Sequence, residues 1–215
     1  LSANANSNYV SPLTSLVQDL VDQGLSQEQA QQQVNVSLGL DEQTDLGLVN
    51  PMTNSTILQP NVLIAQLIKE TTEVLSSLSS EGAEDNNILL SSEDQATLYK
   101  LITSEIAKSI QNSDSTTSLF SGGEQSISII EDIISNSVET LQNEGDSLGF
   151  NSNFINDVKQ VSGESVAILT AELINKKVTI VTDAVAKQAE IIDLAENEID
   201  VLTILNAPDG IFSEI

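Results

Sequence analysis

The segment from Ser165 to Leu205 reads SVAILTAELINKKVTIVTDAVAKQAEIIDLAENEIDVLTIL. Ile174, Val178, Val181, Val185, Ala189, Ile192, Ile199 and Leu202 recur in it at steps of 4, 3, 4, 4, 3, 7 and 3, the spacing of one continuous seam on a long helix. A second set, Leu169, Leu173, Ile180, Ala184, Ile191 and Ala195, is expected to widen that seam, so that neighbours touch the helix from more than one side. Glu172, Lys176, Lys177, Asp183, Lys187, Glu190 and Glu196 keep every apolar run far shorter than a membrane span. Val178 to Thr182 is an unbroken β-branched run, which lowers helix propensity and suits a strand. The alternative is therefore a break there, with Thr182 or Asp183 capping a second helix. Helix is favoured because the heptad-like spacing passes through the run and no alternating partner strand is evident elsewhere.

Outward from this rod, the remaining chain supplies shorter helices with their own start and stop signals. Ser11 before Pro12 is an N-cap followed by proline at the first helical position, and Leu13, Leu16, Val17, Leu20 and Val21 follow at helical spacing to Gly24. Ser26 and Gln29 form a capping box for a second helix, with Ala30, Val34 and Leu38 as its apolar edge and Gly39 as its stop. A third helix is expected from Pro60 to about Ser80. A fourth opens at Ser92 with Leu98, Leu101, Ile102, Ile106 and Ile110 inward, and a fifth covers about Glu124 to Glu144 with Ile127, Ile130, Ile134, Val138 and Leu141 inward. Phe154, Val158 and Val161 begin a sixth that reaches Gly163, and Ala207 to Gly210 ends the rod. The fold class is all-α: a bundle of six to seven amphipathic helices around a long C-terminal helix. Residues 1–9 read as a linker or disordered end, 10–206 as a single helical domain and 207–215 as a tail.

Three pieces of the N-terminal part carry a resemblance: Val10-Ser11-Pro12-Leu13-Thr14-Ser15-Leu16-Val17, then Gly24-Leu25-Ser26-Gln27-Glu28-Gln29-Ala30, then Leu38-Gly39-Leu40 before an acidic loop. This segment resembles a helical module of long secreted, repeat-rich bacterial adhesin and surface proteins, with Ser11 and Ser15 where threonine is usual. The resemblance covers about 45 residues and implies an extracellular structural or adhesive role.

Composition narrows the chemistry. Thirty-two acidic residues face seven basic ones, all lysine, for a net charge of −25 in 215 residues. Such a surface repels phosphate backbones and anionic headgroups, so neither nucleic acid nor a membrane surface is an expected partner. The sequence holds no Cys, His, Arg or Trp. Thiol and imidazole nucleophile systems, thiolate or imidazole metal sites, disulfides and bidentate arginine clamps all drop out. Aromatic residues make up 3%, so the core must be built from Leu, Ile, Val and Ala.

The chain starts at Leu1 with no basic n-region or apolar h-region, and reads as an internal piece or processed product whose export signal would lie outside it. Its acidic, cysteine-free, Ser/Asn/Gln-rich composition matches exported bacterial proteins, and the expected location is extracellular or the cell surface. The expected function is a non-catalytic structural or binding module, adhesion-related, with no cofactor. One alternative is a calcium-stabilised module, for which Asp41, Glu42 and Asp45 are the candidate ligands, although neither an EF-hand order nor a Gly/Asp nonapeptide repeat is present. Another is a glycoside hydrolase using only carboxylates, which needs two acids about 5 to 9 Å apart. Sugar sites ordinarily add aromatic faces, and two Tyr with no Trp offer few.

Overall fold

The computed structural model describes residues 1–78, 90–112 and 124–196. Among them there are seven helices and no strand: α1 (Pro12–Asp22), α2 (Gln27–Ser37), α3 (Ser55–Ser77), α4 (Ser92–Asn112), α5 (Glu124–Glu144), α6 (Ser152–Val158) and α7 (Gly163–Glu196). The all-α bundle expected from the sequence is the observed architecture. The loop at 81–87, the apolar pair Ile88 and Leu89, the Gly122–Gly123 connector, the rod positions Ile199 and Leu202, and the end at 207–215 lie outside the described residues.

The first two helices begin as their sequences dictate. The Thr14 N–H donates to Ser11 Oγ at 3.3 Å and the Ser11 N–H donates to Thr14 Oγ1 at 2.8 Å, while Ser26 and Gln29 exchange the same pair at 3.2 and 3.1 Å. Two otherwise orphaned donors are thereby satisfied at each start. Between the two helices Gly24 takes φ +107°, a left-handed turn open to glycine at little cost. Residues 1–9, expected to be a loose linker, form no helix but are tied down. Ser2 accepts from the Thr14 and Ser15 hydroxyls at 3.2 and 3.1 Å, and the Asn8 N–H donates to the Gly47 carbonyl at 2.8 Å.

Two boundaries depart from expectation. Helix α3 starts at Ser55 rather than Pro60. Asn54 is the cap, its Oδ1 accepting from the Ile57 N–H at 3.2 Å. Burial of Ile57 and Leu58 favours the added turn, and Pro60 sits inside the helix at the loss of one backbone hydrogen bond. The sixth helix does not run on to Gly163. It stops at Val158, where the Gln142 amide from α5 donates to the carbonyls of Val158 and Val161, both at 2.9 Å. Ser162 then opens α7, its Oγ accepting from the Ser165 N–H at 3.3 Å.

One apolar cluster joins residues of all seven helices, from Leu13 and Ala30 through Leu67, Ile102 and Ile134 to Phe154 and Ala171. Each fully buried Leu or Ile contributes roughly 1.5 to 3 kcal/mol relative to an exposed one. Helix α4 packs on α1, α3 and α5, and α7 lies against α3 and α5. Its β-branched run is helical throughout, with no break at Thr182 or Asp183. The Thr179 and Thr182 hydroxyls donate to the carbonyls of Asn175 and Val178, four residues back, at 2.8 and 2.5 Å, which satisfies them without leaving the helix.

The inner seam of α7 is Ala167, Ala171, Ile174, Val178 and Thr182, all buried, with Val181 and Val185 half-buried. The second apolar set does not widen it. Leu169, Leu173 and Ile180 are 80%, 54% and 60% exposed, as is Ile168 at 59%, and Ala184 is also exposed. These residues point away from α3 and α5, and no described element covers that side. The side chains of Ala189, Ile191, Ile192 and Ala195 lie outside the described set.

Candidate functional site

The acidic loop after α2 is organised by Asn35, a buried residue whose Nδ2 donates to the carbonyls of Glu42 and Thr44 at 3.2 and 2.9 Å. The three candidate calcium ligands there do not converge. Asp41 Oδ1 accepts from the Gln43 N–H at 2.9 Å, Asp45 Oδ1 from the Gly47 N–H at 3.0 Å, and Glu42 Oε2 from the Gln32 amide at 2.8 Å. The two aspartates shape their own turns, and Glu42 reaches back to α2. Among the described residues no group of three or more carboxylates is placed to hold a metal ion.

Two clefts bring ionisable groups together. The larger, about 550 Å³, lies between α4 and α5 and is lined by Glu105, Lys108, Asp132, Asn136, Glu139 and Thr140 among others. Glu105 is its buried member, accepting from Lys108 Nζ at 2.7 Å and from the Thr140 hydroxyl at 3.3 Å. That carboxylate ties the two helices together. Asp132 and Glu139 stand exposed on the rim, in keeping with the polar face their spacing along α5 suggests.

The smaller cleft, about 280 Å³, opens between α1 and α4 and includes Asp19, Asp22, Tyr99 and Lys100. Asp19 is 7% exposed. Burial, reinforced by the neighbouring charge of Asp22 and opposed by Lys100, pushes its carboxyl up to about 6. Burial also raises the Tyr99 phenol. Sequence reading did not single out Asp19, because an acid between Val17 and Leu20 looks like the wet side of an amphipathic helix. Its burial comes from the packing of α1 on α4, which the local sequence does not announce.

A further buried carboxylate, Glu70 on α3, receives Lys177 Nζ from α7 at 2.5 Å, Lys69 Nζ at 3.3 Å and the Gln66 amide at 2.7 Å. Burial works to raise this carboxyl, but the hydrogen bonds from Lys177 and Lys69 outweigh it and hold the group below its ordinary value. The pair spans 107 positions of sequence, and no local pattern announces it.

Among the described residues the geometry thus defines an acidic bundle of seven helices with polar clefts between α4 and α5 and between α1 and α4, and an apolar face of α7 left bare. No protein-family model matches the chain, and neither curated proteins nor solved structures returned a match. No helix among the described residues is long and apolar enough to cross a membrane.

Proposed function

We propose that the chain is a non-catalytic structural or binding module of a secreted or cell-surface bacterial protein, working in adhesion. The observation that carries this reading is the employment of two of the three buried carboxylates among the described residues. Glu70 links α3 to α7 and Glu105 links α4 to α5, so both act as struts of a scaffold. The adhesin-like sequence of residues 10–40, which forms α1, α2 and the turn between them, and the missing nucleophile systems support the same reading. Fractionation of the native source with an antibody to this chain tests it. Recovery from the medium or the cell exterior is expected, and recovery from the cytosol overturns it.

One observation favours a second reading, carboxylate chemistry on a glycoside. Burial pushes the Asp19 carboxyl up to about 6, beside Asp22 and the Tyr99 ring in one cleft, and a raised acid next to a second carboxyl is what such hydrolysis requires. Hydrolysis of a glycan panel by the chain, lost in Asp19→Asn, would establish that reading in place of the first.

A further inference from the structure

The outward face of α7 is more than a scatter of exposed hydrophobics. Leu169, Leu173, Lys176, Ile180 and Asp183 follow one another at steps of 4, 3, 4 and 3, the repeat of a coiled-coil seam. At 100° per residue they fall within an arc of about 80° on the side opposite the buried row. All five are exposed, and the row extends the face by its charged members as well as its apolar ones.

Charge decides what can cover it. From Ser165 to Gln188 the chain carries three lysines against two acids, while the whole carries −25, so this stretch adds little to the repulsion between two copies. The order of its charges is self-complementary in one orientation only. If two α7 helices lie antiparallel about a twofold axis between positions 179 and 180, Lys176 of each faces Asp183 of the other, and Ile180 of both copies meets near the axis. A parallel pair would instead place Lys176 against Lys176 and Asp183 against Asp183, which is repulsive.

We infer that the outer face of α7 is a self-association surface, on which a second copy of this chain packs antiparallel. The pairing is independent of where the chain works. A single helix pair of about 30 Å covers less than the roughly 800 Å² per partner of a standard interface. The dimer is therefore weak, with Kd on the order of 10 to 100 µM. Salt tightens it, because screening relieves the mutual repulsion of two highly acidic bodies while the apolar contact persists.

Sedimentation equilibrium of the full chain from about 5 to about 300 µM, at low salt and at about 0.3 M salt, tests this. The expected result is a concentration-dependent dimer, stronger at the higher salt. Leu173→Glu should abolish it with helicity and melting temperature unchanged. Lys176→Glu should weaken it about tenfold, and the double variant Lys176→Glu, Asp183→Lys should restore it. Because the chain has no native cysteine, Ile180→Cys should give one clean intermolecular disulfide on oxidation. Leu169→Cys should not, since the two copies of that position stand about 30 Å apart in the antiparallel register. A chain that stays monomeric throughout overturns the inference, as does unfolding by Leu173→Glu, which would mean another part of the same chain covers the face. Cross-linking of Leu169→Cys as readily as Ile180→Cys overturns the antiparallel arrangement.

Discussion

Helices α5 and α7 each carry more apolar residues than a single row holds, but only in α5 are the additional ones covered. In α5, Ile130, Ile133, Ile134, Val138 and Leu141 are buried and Ile127 and Ile129 half-buried. In α7 one row is buried and the other, from Ile168 to Ile180, stands in water. The reason is position. Helix α5 is enclosed by α4, α6 and α7, whereas α7 lies on α3 and α5 with no described element on its far side. Periodicity fixes which residues share a helix face. It carries no term for whether a neighbour exists to occupy that face.

Five substitutions and one ligand test break or sharpen this contrast. The largest effect is expected from paired truncations. Ile134→Ala in α5 should cost about 2 to 5 kcal/mol, and Leu173→Ala in α7 less than about 0.5 kcal/mol, both by urea unfolding at dilution where the chain is monomeric. Equal losses would show that the outer face of α7 is covered after all. Next comes Gly145→Ala, where α5 ends. A methyl group there would run into the Ile155 side chain and the Leu141 carbonyl, so a loss of about 2 to 3 kcal/mol is expected by the same measurement; tolerance would mean α6 encloses α5 loosely.

Removal of the strut between α3 and α7 is the third. Glu70→Ala leaves Lys177 without its partner, and a loss of about 1 to 2 kcal/mol is expected. Greater hydrogen exchange in α7 than in α5 is the signature that the inner seam of α7 depends on it. A smaller effect belongs to Asp19, whose folded pKa lies above the unfolded value near 3.8. The folded state then binds the proton more tightly, so the contribution of Asp19 to stability is fully present below about pH 4 and is lost as the pH rises through about 6. Asp19→Asn should raise the melting temperature at pH 8 and hardly change it at pH 4. The gain is on the order of 1 kcal/mol once screening through the open cleft is allowed for. The smallest effect is calcium: melting with about 1 mM calcium and with chelator should agree within about 1 °C. A clear rise would bring Asp41, Glu42 and Asp45 back as ligands.

The parts of this fold that local chemistry determines were readable in advance. Ser11 ahead of Pro12, Ser26 with Gln29, and the turn at Gly24 are caps and turns whose partners lie within a few residues. The inward row of α4 and the extent of α5 follow from an uninterrupted period. Pro60 misled because proline at a first helical position and proline inside a helix look alike until a better cap, here Asn54, is weighed against it. Of the candidate sites, the loop at 41–45 was legible as acidic but not as unconverged, since Asn35 sets its shape from α2. Asp19 and the Glu70–Lys177 pair depend on contacts between helices that no single window of sequence contains.

The seat of α7 on α3 and α5 also bears on how the molecule is made. A chain emerging from the ribosome at roughly 5 to 20 residues per second completes α3 and α5 before the residues that roof the groove between them exist. For some seconds those two helices hold an unroofed apolar trough, and sequestering it falls to α7. Nascent chains halted before Ala167 should bind holdase chaperones, and release should coincide with the emergence of Val178 and Thr182.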